Sequence, residues 1–326
     1  METKIKVNLN YRTYHVLYND MDTFSFLKKD GEVNQNEFLN LLVSNYYLHD
    51  KERIERISSL LEEKMKKVHI EKNKMNLLKD EILSVLSSEK KEGITSSKLD
   101  YSFSFRPSHR YDDVYSYIEN NLLKGISASA YFRSLFESYC MLSQAERECI
   151  LFKKEYELIE VAINKKRNLI VFLDRNREEF SPYRMDTTKE QNYVYVTGMK
   201  NGIACSIHLY KMKNVCMSTH CFGFDKETIR LLEKRTSSAM EFAGSEIVRA
   251  EVRLTEKGKK QYRKIWHNRP DYVSVKEDVY SFESPYFQLF NYFLRFSKEA
   301  EILSPESLRN DLERFYLEGY EVYHQA

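Results

Sequence analysis

Five basic or aromatic side chains in the middle of the sequence are the candidates for a functional site. Lysine and arginine meet phosphate groups, and tyrosine or histidine can stack on unpaired bases, so this mixture is typical of a surface for a single nucleic-acid strand. The arginine would contact phosphate or stack on a base, and the tyrosine would line the pocket or offer a ring face. The histidine would donate a hydrogen bond, and the lysines would supply charge. The candidates are Arg184, Tyr195, His208, Lys211 and Lys213.

Some of these candidates also have an ordinary structural interpretation. Tyr195 stands in an apolar alternation that is typical of a core, and His208 fits a hydrogen-bonded strand position. Lys213 fits a solvated surface equally well. These residue types alone leave the alternatives open.

Residue patterns of the common catalytic sites are absent from the sequence. It contains no GxxxxGK[ST] phosphate loop and no GxGxxG fingerprint, so nucleotide hydrolysis and dinucleotide redox chemistry have no support. The HExxH and GxSxG motifs are missing as well. Cys216, His220 and Cys221 lie close together but lack a second pair of ligands at zinc spacing. We therefore expect a non-enzymatic protein with no metal and no cofactor.

The charges are distributed unevenly along the chain, although the net charge is only +2. Residues 1–163 carry 24 basic and 26 acidic side chains, and residues 164–269 carry 22 and 12. Residues 270–326 carry 5 and 11. A middle segment of net charge +10 is expected to attract a polyanion, provided that its cations gather on one surface.

Composition places the chain among folded proteins of two or three domains. Of 326 residues, 42% are hydrophobic and only 14 are glycine or proline, which excludes low-complexity and linker-dominated designs. No apolar run approaches the ~20 residues that cross a bilayer, and no apolar leader follows Met1. We expect a cytoplasmic protein without membrane contact, whose five cysteines are reduced.

The N-terminus alternates apolar and polar residues and then changes to helical spacing. Ile5, Val7 and Leu9 would share one face of a strand. A helical segment follows, then a turn at residues 28–31, and Asn34 offers an N-cap for a second helix. The predicted order is strand, helix, turn, helix.

This order resembles a ribbon-helix-helix module, in which two chains pair their N-terminal strands. The resemblance implies a homodimer, and it assigns contact with a DNA major groove to the outward strand residues, here Lys4, Lys6 and Asn8. Residues 1–57 hold 8 basic and 9 acidic side chains, a balance that favours dimerisation over binding to a duplex.

The next hundred residues are predicted to be mostly helical. Tyr101–Phe105 forms a brief alternation, and helical stretches follow around residues 111–123 and 127–142. Between residues 51 and 90 apolar residues recur at three- and four-residue steps, at Ile54, Ile57, Leu61, Leu78, Ile82 and Val85.

From Glu155 the pattern changes from a helix to a series of short strands. The helix ends in a basic cluster at residues 165–167, and an apolar strand, Leu169–Leu173, follows. Further alternations at residues 193–197 and 203–212 are separated by tight turns, which suggests a small barrel.

These elements resemble a WYL domain, an Sm-like or SH3-like barrel named for a Trp-Tyr-Leu triplet. The triplet falls on residues 194–196, where only Tyr195 matches, and Pro182-Tyr183-Arg184 precedes it at the expected place. Residues 209–212 correspond to the family's arginine-bearing strand, with Lys211 at the arginine position. Lysine keeps the charge but loses the planar two-pronged contact with phosphate.

The C-terminal segment resembles the extension that accompanies WYL domains. Residues 248–254 begin it, residues 284–287 lead a helix, and residues 300–309 fit its closing motif. Proteins with this order of modules include accessory proteins of the type VI, RNA-targeting CRISPR effector. The resemblance covers residues 1–50 and 155–323, and it implies single-stranded RNA binding and stimulation of an effector nuclease.

A second basic run lies within this extension, around Tyr262 and Trp266. It would lengthen a nucleic-acid track, or it is an ordinary amphipathic helix with lysines on its solvated face and a buried tryptophan. Its cations are Lys257, Lys259, Lys260, Arg263 and Lys264.

The sequence thus predicts an α+β chain in four parts. These are a ribbon-helix-helix dimerisation module (1–56), a helix-rich linker domain (57–154), a WYL domain with an Sm-like barrel (155–240) and a C-terminal extension (241–326). The leading hypothesis is a single-stranded RNA-binding accessory protein that enhances an RNA-targeting CRISPR nuclease. The alternative is a ligand-responsive transcription regulator that binds DNA through the N-terminal module and senses a nucleotide or nucleic acid through the barrel.

Overall fold

The structure, a computed structural model, folds into two compact units, Met1–Lys153 and Lys154–Ala326. Helices and antiparallel sheets make up both, so the predicted α+β class is confirmed. In the described part of the chain no helix is long and apolar enough to span a membrane. The described residues are 4–48, 58–65, 67, 77–78, 81–82, 98–123, 125–173, 176–187, 192–238, 242 and 245–324.

The N-terminal unit begins with the predicted strand and two capped helices. Alternate residues of β1 are buried, which confirms the predicted apolar face. The side chains of Asn10 and Asn34 each accept a hydrogen bond from the backbone N–H three residues later, at 2.8 and 3.3 Å. Each asparagine thereby satisfies one of the free N–H groups at a helix start. The bounds are β1 Ile5–Leu9, α1 Tyr11–Thr23 and α2 Gln35–Tyr46.

Strand β1 pairs along one edge within its own chain, and whether a second chain pairs with its other edge remains a prediction. Its partner is β2, Tyr101–Phe105, which runs antiparallel to it over the full length of both strands. Phe103 and Phe105 lie opposite Val7 and Ile5, and all four side chains are buried. These cross-strand pairs make one continuous apolar face, so β2 covers β1 along this edge without a second copy.

Apart from β2 and short connections, the described residues in the remainder of this unit are helical, as predicted. Residues 58–65, 77–78 and 81–82 are helical and include Leu61, Leu78 and Ile82, whereas Ile54, Ile57 and Val85 lie outside the described residues. After β2 come α3 Asp112–Tyr117, a π-helical turn Ile118–Leu122, α4 Ala128–Cys140 and α5 Gln144–Leu151.

A buried ion pair lies in the core of this unit. Asp20, on α1, is 2% exposed, and it accepts hydrogen bonds from Arg147 Nε at 2.7 Å and Nη2 at 2.9 Å. The Tyr139 hydroxyl donates a third bond to Asp20, at 2.8 Å. Burial and the neighbouring Asp20 carboxylate raise the pKa of Tyr139, which keeps the phenol protonated as a donor. Both carboxylate oxygens therefore have partners.

The second unit begins with a helix and a five-stranded antiparallel sheet in the order β6-β5-β4-β3-β7. The first part of β4 pairs with β3 and the remainder with β5. A bulge between Pro182 and Arg184 lies where the pairing changes. A Cβ at Gly198 would lie 2.1 Å from the Ser181 carbonyl oxygen, so only glycine allows this approach. The bounds are α6 Lys153–Asn164, β3 Arg167–Leu173, β4 Asn176–Thr187, β5 Val194–Lys200, β6 Ile203–His208 and β7 Cys216–Cys221.

The predicted closed barrel does not form among the described residues, where β6 and β7 remain the two edges of an open sheet. Closure would require β6 to pair with β7, but β7 pairs only with β3. The chain also leaves β6 at His208 through a 3₁₀ turn, Leu209–Lys211, which ends the ladder. The strand predicted to reach Met212 is therefore shorter than expected.

A four-stranded antiparallel sheet, β11-β8-β10-β9, forms the base of the C-terminal extension. Its core contains Phe282, Phe293 and Phe296 with Val252 and Leu312, all buried. The predicted helix after Pro285 and the closing segment are present. The bounds are α7 Lys226–Ser238, β8 Ile247–Leu254, α8 Glu256–Lys264, β9 Tyr272–Lys276, β10 Val279–Pro285, α9 Tyr286–Phe293, β11 Ala300–Ser304 and α10 Glu306–His324.

The predicted four-part division remains a prediction. Segments 1–56 and 57–154 are joined by the pairing of β1 with β2, and both fall within the first compact unit apart from residue 154. Segments 155–240 and 241–326 each contain one sheet of the second unit.

Candidate nucleic-acid interface

A two-residue hairpin sets the geometry of the candidate site. Asn201 and Gly202, with φ of +51° and +79°, connect β5 to β6. Asn-Gly is the sequence that favours a two-residue turn with positive φ at both positions. The turn places Lys200 opposite Ile203, and the same register places Tyr195 opposite His208.

This register gathers four rings at the open end of the hairpin. Tyr193 stands just before β5 and Tyr210 lies in the 3₁₀ turn that follows β6, and their ring centroids are 6.1 Å apart. The ring centroid of His208 is 4.3 Å from that of Tyr195, 4.9 Å from that of Tyr193 and 5.2 Å from that of Tyr210. We call these four residues the aromatic cluster.

The predicted residue Tyr195 forms the floor of this cluster. It is 3% exposed, so its ring face is covered, and it contacts His208 directly. Of the two predicted roles, lining a pocket fits this position, and an open stacking face does not. Tyr193 and Tyr210 are half-buried and form the accessible part of the cluster.

His208 is held neutral by its surroundings. Burial, together with the positive charge of Lys211, lowers the pKa of its imidazole from 6.5 to about 4. Its Nδ1 atom is buried and has no hydrogen-bond partner among the described residues. Since buried polar atoms are normally paired, this nitrogen marks a position where a ligand could complete the hydrogen bonding. The predicted role of His208 in hydrogen bonding fits this geometry.

Arg184 lies on the neighbouring strand β4. Asp186 pairs with Tyr195 across β4 and β5, and Arg184 pairs with Thr197 in the adjacent row. The guanidinium of Arg184 forms an ion pair with the Asp186 carboxylate, and both side chains are partly exposed. Its Nε has no hydrogen-bond partner among the described residues. The Arg184 charge is therefore partly neutralised before any phosphate arrives.

The two predicted lysines follow β6 instead of lying on a strand. Lys211 ends the 3₁₀ turn, and its Nζ lies 5.9 Å from the centre of the Tyr210 ring. It is exposed, whereas Lys213 is half-buried. Lys211 thus carries its charge directly beside the accessible rim of the aromatic cluster.

Sequence reasoning identified only half of this cluster. Tyr193 and Tyr210 were not among the candidates, although the sequence contains the signal that finds them. The Asn201-Gly202 hairpin fixes the register, and counting outward from it places Tyr193 opposite Tyr210.

Part of the expected charge surface is neutralised in the extension. Four cations of residues 249–259 form ion pairs with carboxylates that all belong to the acidic segment 270–326. Part of the +10 charge of the middle segment is therefore neutralised, which limits the surface that was expected to attract a polyanion. The pairs are Arg249–Glu283, Arg253–Glu301, Lys257–Glu299 and Lys259–Asp278.

The N-terminal candidates lie on the outer face of β1. Lys4 lies just before the strand, and Lys6 and Asn8 are exposed on it. Ser104 and Ser102 lie opposite Lys6 and Asn8 on β2. The DNA-contact role of these residues remains a prediction.

Ser218, His220 and Glu179 form a polar cluster on the five-stranded sheet. Ser218 Oγ and His220 Nδ1 both contact the same oxygen of Glu179, at 2.7 and 2.9 Å, so the imidazole does not activate the serine. No group of three His, Cys, Asp or Glu side chains in the described ranges is placed to hold a metal. All five cysteines are free thiols.

Comparison with known proteins shows a likeness in fold. The chain is similar to a solved structure described as a CRISPR Cas-related protein, with a TM-score of 0.74 and 20% identity over 100% of this chain and 95% of that one. A second solved structure is proteasome accessory factor B/C (PafBC) of Arthrobacter aurescens, with a TM-score of 0.26 and 14% identity over 66% of this chain and 37% of that one. The second match is too weak to carry an argument. No protein-family model matches the sequence, and no curated protein matches it. The first comparison establishes a shared fold.

Proposed function

We propose that this chain is a non-enzymatic accessory protein that binds single-stranded RNA and enhances an RNA-targeting CRISPR nuclease in the cytoplasm. The observation that supports it most is the aromatic cluster beside Lys211. The full-length likeness to a CRISPR Cas-related fold supports the proposed setting. The order of modules seen in the sequence supports a type VI effector as the partner, and the finer identification as a WYL domain belongs to the same proposal.

The proposed contact uses each member of the cluster differently. A base stacks against the accessible ring of Tyr193 or Tyr210, whose centroids lie 6.1 Å apart, and such stacking tolerates any sequence. The neutral imidazole of His208 offers its unpaired Nδ1 to a polar edge of that base or to a ribose hydroxyl. Lys211 holds the adjoining phosphate, and Arg184 reaches a second phosphate by exchanging Asp186 for it. Lys213 adds charge at the same end of the sheet.

The proposal includes a homodimer formed through the ribbon-helix-helix module. In the described residues β1 has one paired edge, with β2, so a second strand has access to the other edge. Arg133 Nε already donates to the backbone carbonyl of Asn8 at 2.8 Å, and this contact would have to be shared or released. Light scattering coupled to size-exclusion chromatography measures the molar mass of the protein. A monomeric mass at micromolar protein concentration would remove the dimer from the proposal.

Nucleic-acid preference tests the central part of the proposal. Purified protein is titrated against short single- and double-stranded RNA and DNA of one sequence in filter-binding assays. Single strands should bind best, because a paired base cannot enter a ring cluster. The logarithm of affinity should fall against the logarithm of salt with a slope of about −0.7 for each neutralised phosphate. Equal binding to single and double strands would refute the proposal.

The second candidate function is a DNA-binding regulator, and the exposed outer face of β1 is the observation that favours it. Replacing Lys4, Lys6 and Asn8 together by alanine distinguishes the DNA-binding regulator from the RNA-binding accessory protein. Loss of duplex binding by this triple variant supports the regulator. Retained RNA binding by the same variant supports the accessory protein.

A further inference from the structure

The single tryptophan of the chain lies on the surface of the C-terminal extension. Trp266 follows α8 and is 73% exposed, although the sequence pattern had suggested that it is buried. An exposed indole this large is unusual on a surface that has no partner, and tryptophan is enriched where a binding partner covers it.

A free guanidinium is stacked on this indole. Arg269 Cζ lies 4.4 Å from the centre of the Trp266 ring and 5.5 Å from that of Tyr262. No carboxylate among the described residues forms an ion pair with Arg269, although Asp271 is two residues away. Tyr272, 51% exposed, adds a second accessible ring, whose centroid lies 6.2 Å from that of Tyr262. Arg269 thus contacts two rings, and a third ring lies beside Tyr262.

The adjoining helix presents free cations on one face. Lys260, Arg263 and Lys264 are three and four residues apart on α8 and are exposed. They form no ion pair with any described carboxylate, unlike Lys257 and Lys259 on the same helix, which are paired. The structure thus separates the basic run into a neutralised part and a free part, and the free part leads into Trp266.

We infer that Trp266, Arg269 and the free cations of α8 form a second contact for single-stranded RNA, in which an unpaired base stacks on the indole. This inference rests on the proposed function and adds a site outside the five-stranded sheet. One face of the indole is held by Arg269, and the other is open to a base. Arg263 and Lys264 lie three and two residues before Trp266 in the sequence, and their charges would meet the flanking phosphates.

Charge favours a polyanion over a protein partner at this surface. Residues 260–276 contain five Lys or Arg side chains and one carboxylate, which is a net charge of +4. Val273 and Val275 on β9 are also exposed and share one face of this strand, which ends in the cation Lys276. A single strand uses both properties of the site, since its phosphates require cations and its bases require ring faces.

The lone tryptophan allows a direct test. Because no other indole exists in the chain, emission excited at the red edge of tyrosine absorption reports on Trp266 alone. Adding a short single-stranded RNA to the full-length protein should quench this emission along the same binding curve as fluorescence anisotropy of labelled RNA. Binding by anisotropy with unchanged Trp266 emission would overturn the inference and leave the proposed function standing. Absence of any RNA binding would overturn both.

Three variants complete the test. Trp266→Ala should weaken RNA binding roughly tenfold, in line with the loss of one base–aromatic stack, and Trp266→Phe should weaken it less because a smaller ring face remains. Phe287→Ala is the matched control, since Phe287 is 57% exposed in the same extension but lines a cavity with Asp311 and Glu318. Equal affinity of Trp266→Ala and the wild type would refute the stacking contact. Both positions are at the surface, and circular dichroism checks that each variant is folded.

Discussion

The two units of this chain treat their polar side chains in opposite ways. In the N-terminal unit the buried carboxylate of Asp20 has a partner on each oxygen. In the sheet of the C-terminal unit, the buried atoms Nδ1 of His208 and Nε of Arg184 have none in the described residues. A satisfied buried network fixes one arrangement of the chain, whereas an unsatisfied group near the surface is a place for a ligand.

Asn40 is a second buried polar residue of the N-terminal unit whose side chain has hydrogen-bond partners. Asn40 is 1% exposed, and its amide donates to the carbonyl of Arg106 at 2.9 Å and accepts from Ser108 N–H and the Tyr115 hydroxyl at 2.8 and 2.7 Å. This one side chain joins α2 to the segment after β2. The polar groups of this unit hold the structure together.

Breaking the buried pair is the strongest test of this contrast. Asp20→Ala leaves the Arg147 guanidinium, whose side chain is 12% exposed, without its carboxylate. We expect the N-terminal unit to lose about 3–5 kcal/mol of unfolding free energy, the usual cost of removing one partner of a buried pair. Urea unfolding followed by circular dichroism measures it. Asp22→Ala, an exposed position on the same helix, is the control, and equal losses for the two variants would contradict the structural role.

A smaller effect is expected from His208, and it depends on pH. The folded pKa is about 4 and the ordinary value is 6.5, so between these values the unfolded chain binds a proton that the folded chain does not. Stability contributed by neutral His208 is thus fully present above about pH 6.5 and is lost as the pH falls toward 4. The loss between pH 8 and pH 5 should be smaller than the value of about 2 kcal/mol for an unscreened group, because the ring is partly exposed and solvent screens its charge.

His208→Phe isolates this contribution, because phenylalanine keeps a ring in the aromatic cluster and cannot titrate. The unfolding free energy of wild type should fall more between pH 8 and pH 5 than that of the variant. Identical pH profiles would show that the imidazole is not held neutral. Titration of the His208 ring protons by NMR gives the folded pKa directly.

The smallest effect is expected from one exposed cation. Lys211→Ala should weaken single-stranded RNA binding only a few-fold and reduce the salt slope by about 0.7, because one phosphate contact is lost. Lys28→Ala removes the same charge from an exposed position in the N-terminal unit and should leave both quantities unchanged. An equal effect of the two variants would show that the interaction depends on net charge and not on the cluster.

Local features of the fold could be predicted from the sequence, and long-range ones could not. The alternation of Ile5, Val7 and Leu9 and the Asn34 cap depend on neighbouring residues, and both were predicted correctly. The partner of β1 lies about a hundred residues further along the chain, and no local pattern specifies it. The open sheet likewise depends on where β6 ends, which the alternation through residue 212 concealed.

The candidate site, too, could be predicted only in part from the sequence. The prediction chose His208 and Lys211 by residue type and resemblance, but only the hairpin register shows that Tyr193 and Tyr210 adjoin them. Charge counting located the basic segment, yet it could not show which cations are neutralised. Lys257 and Lys260 are alike in the sequence, and only the fold places Glu299 beside the first of them.

The pairing of β1 with β2 also has a consequence for biosynthesis. Ribosomes add about 5–20 residues per second, so β1 waits on the order of ten seconds for β2 to be made. During this interval Val7 and Leu9 have no cross-strand cover, and a nascent chain that stops before Tyr101 carries an apolar strand edge available to chaperones or to other nascent chains. Early termination of translation would therefore give an aggregation-prone product, even though the completed protein buries the same residues fully.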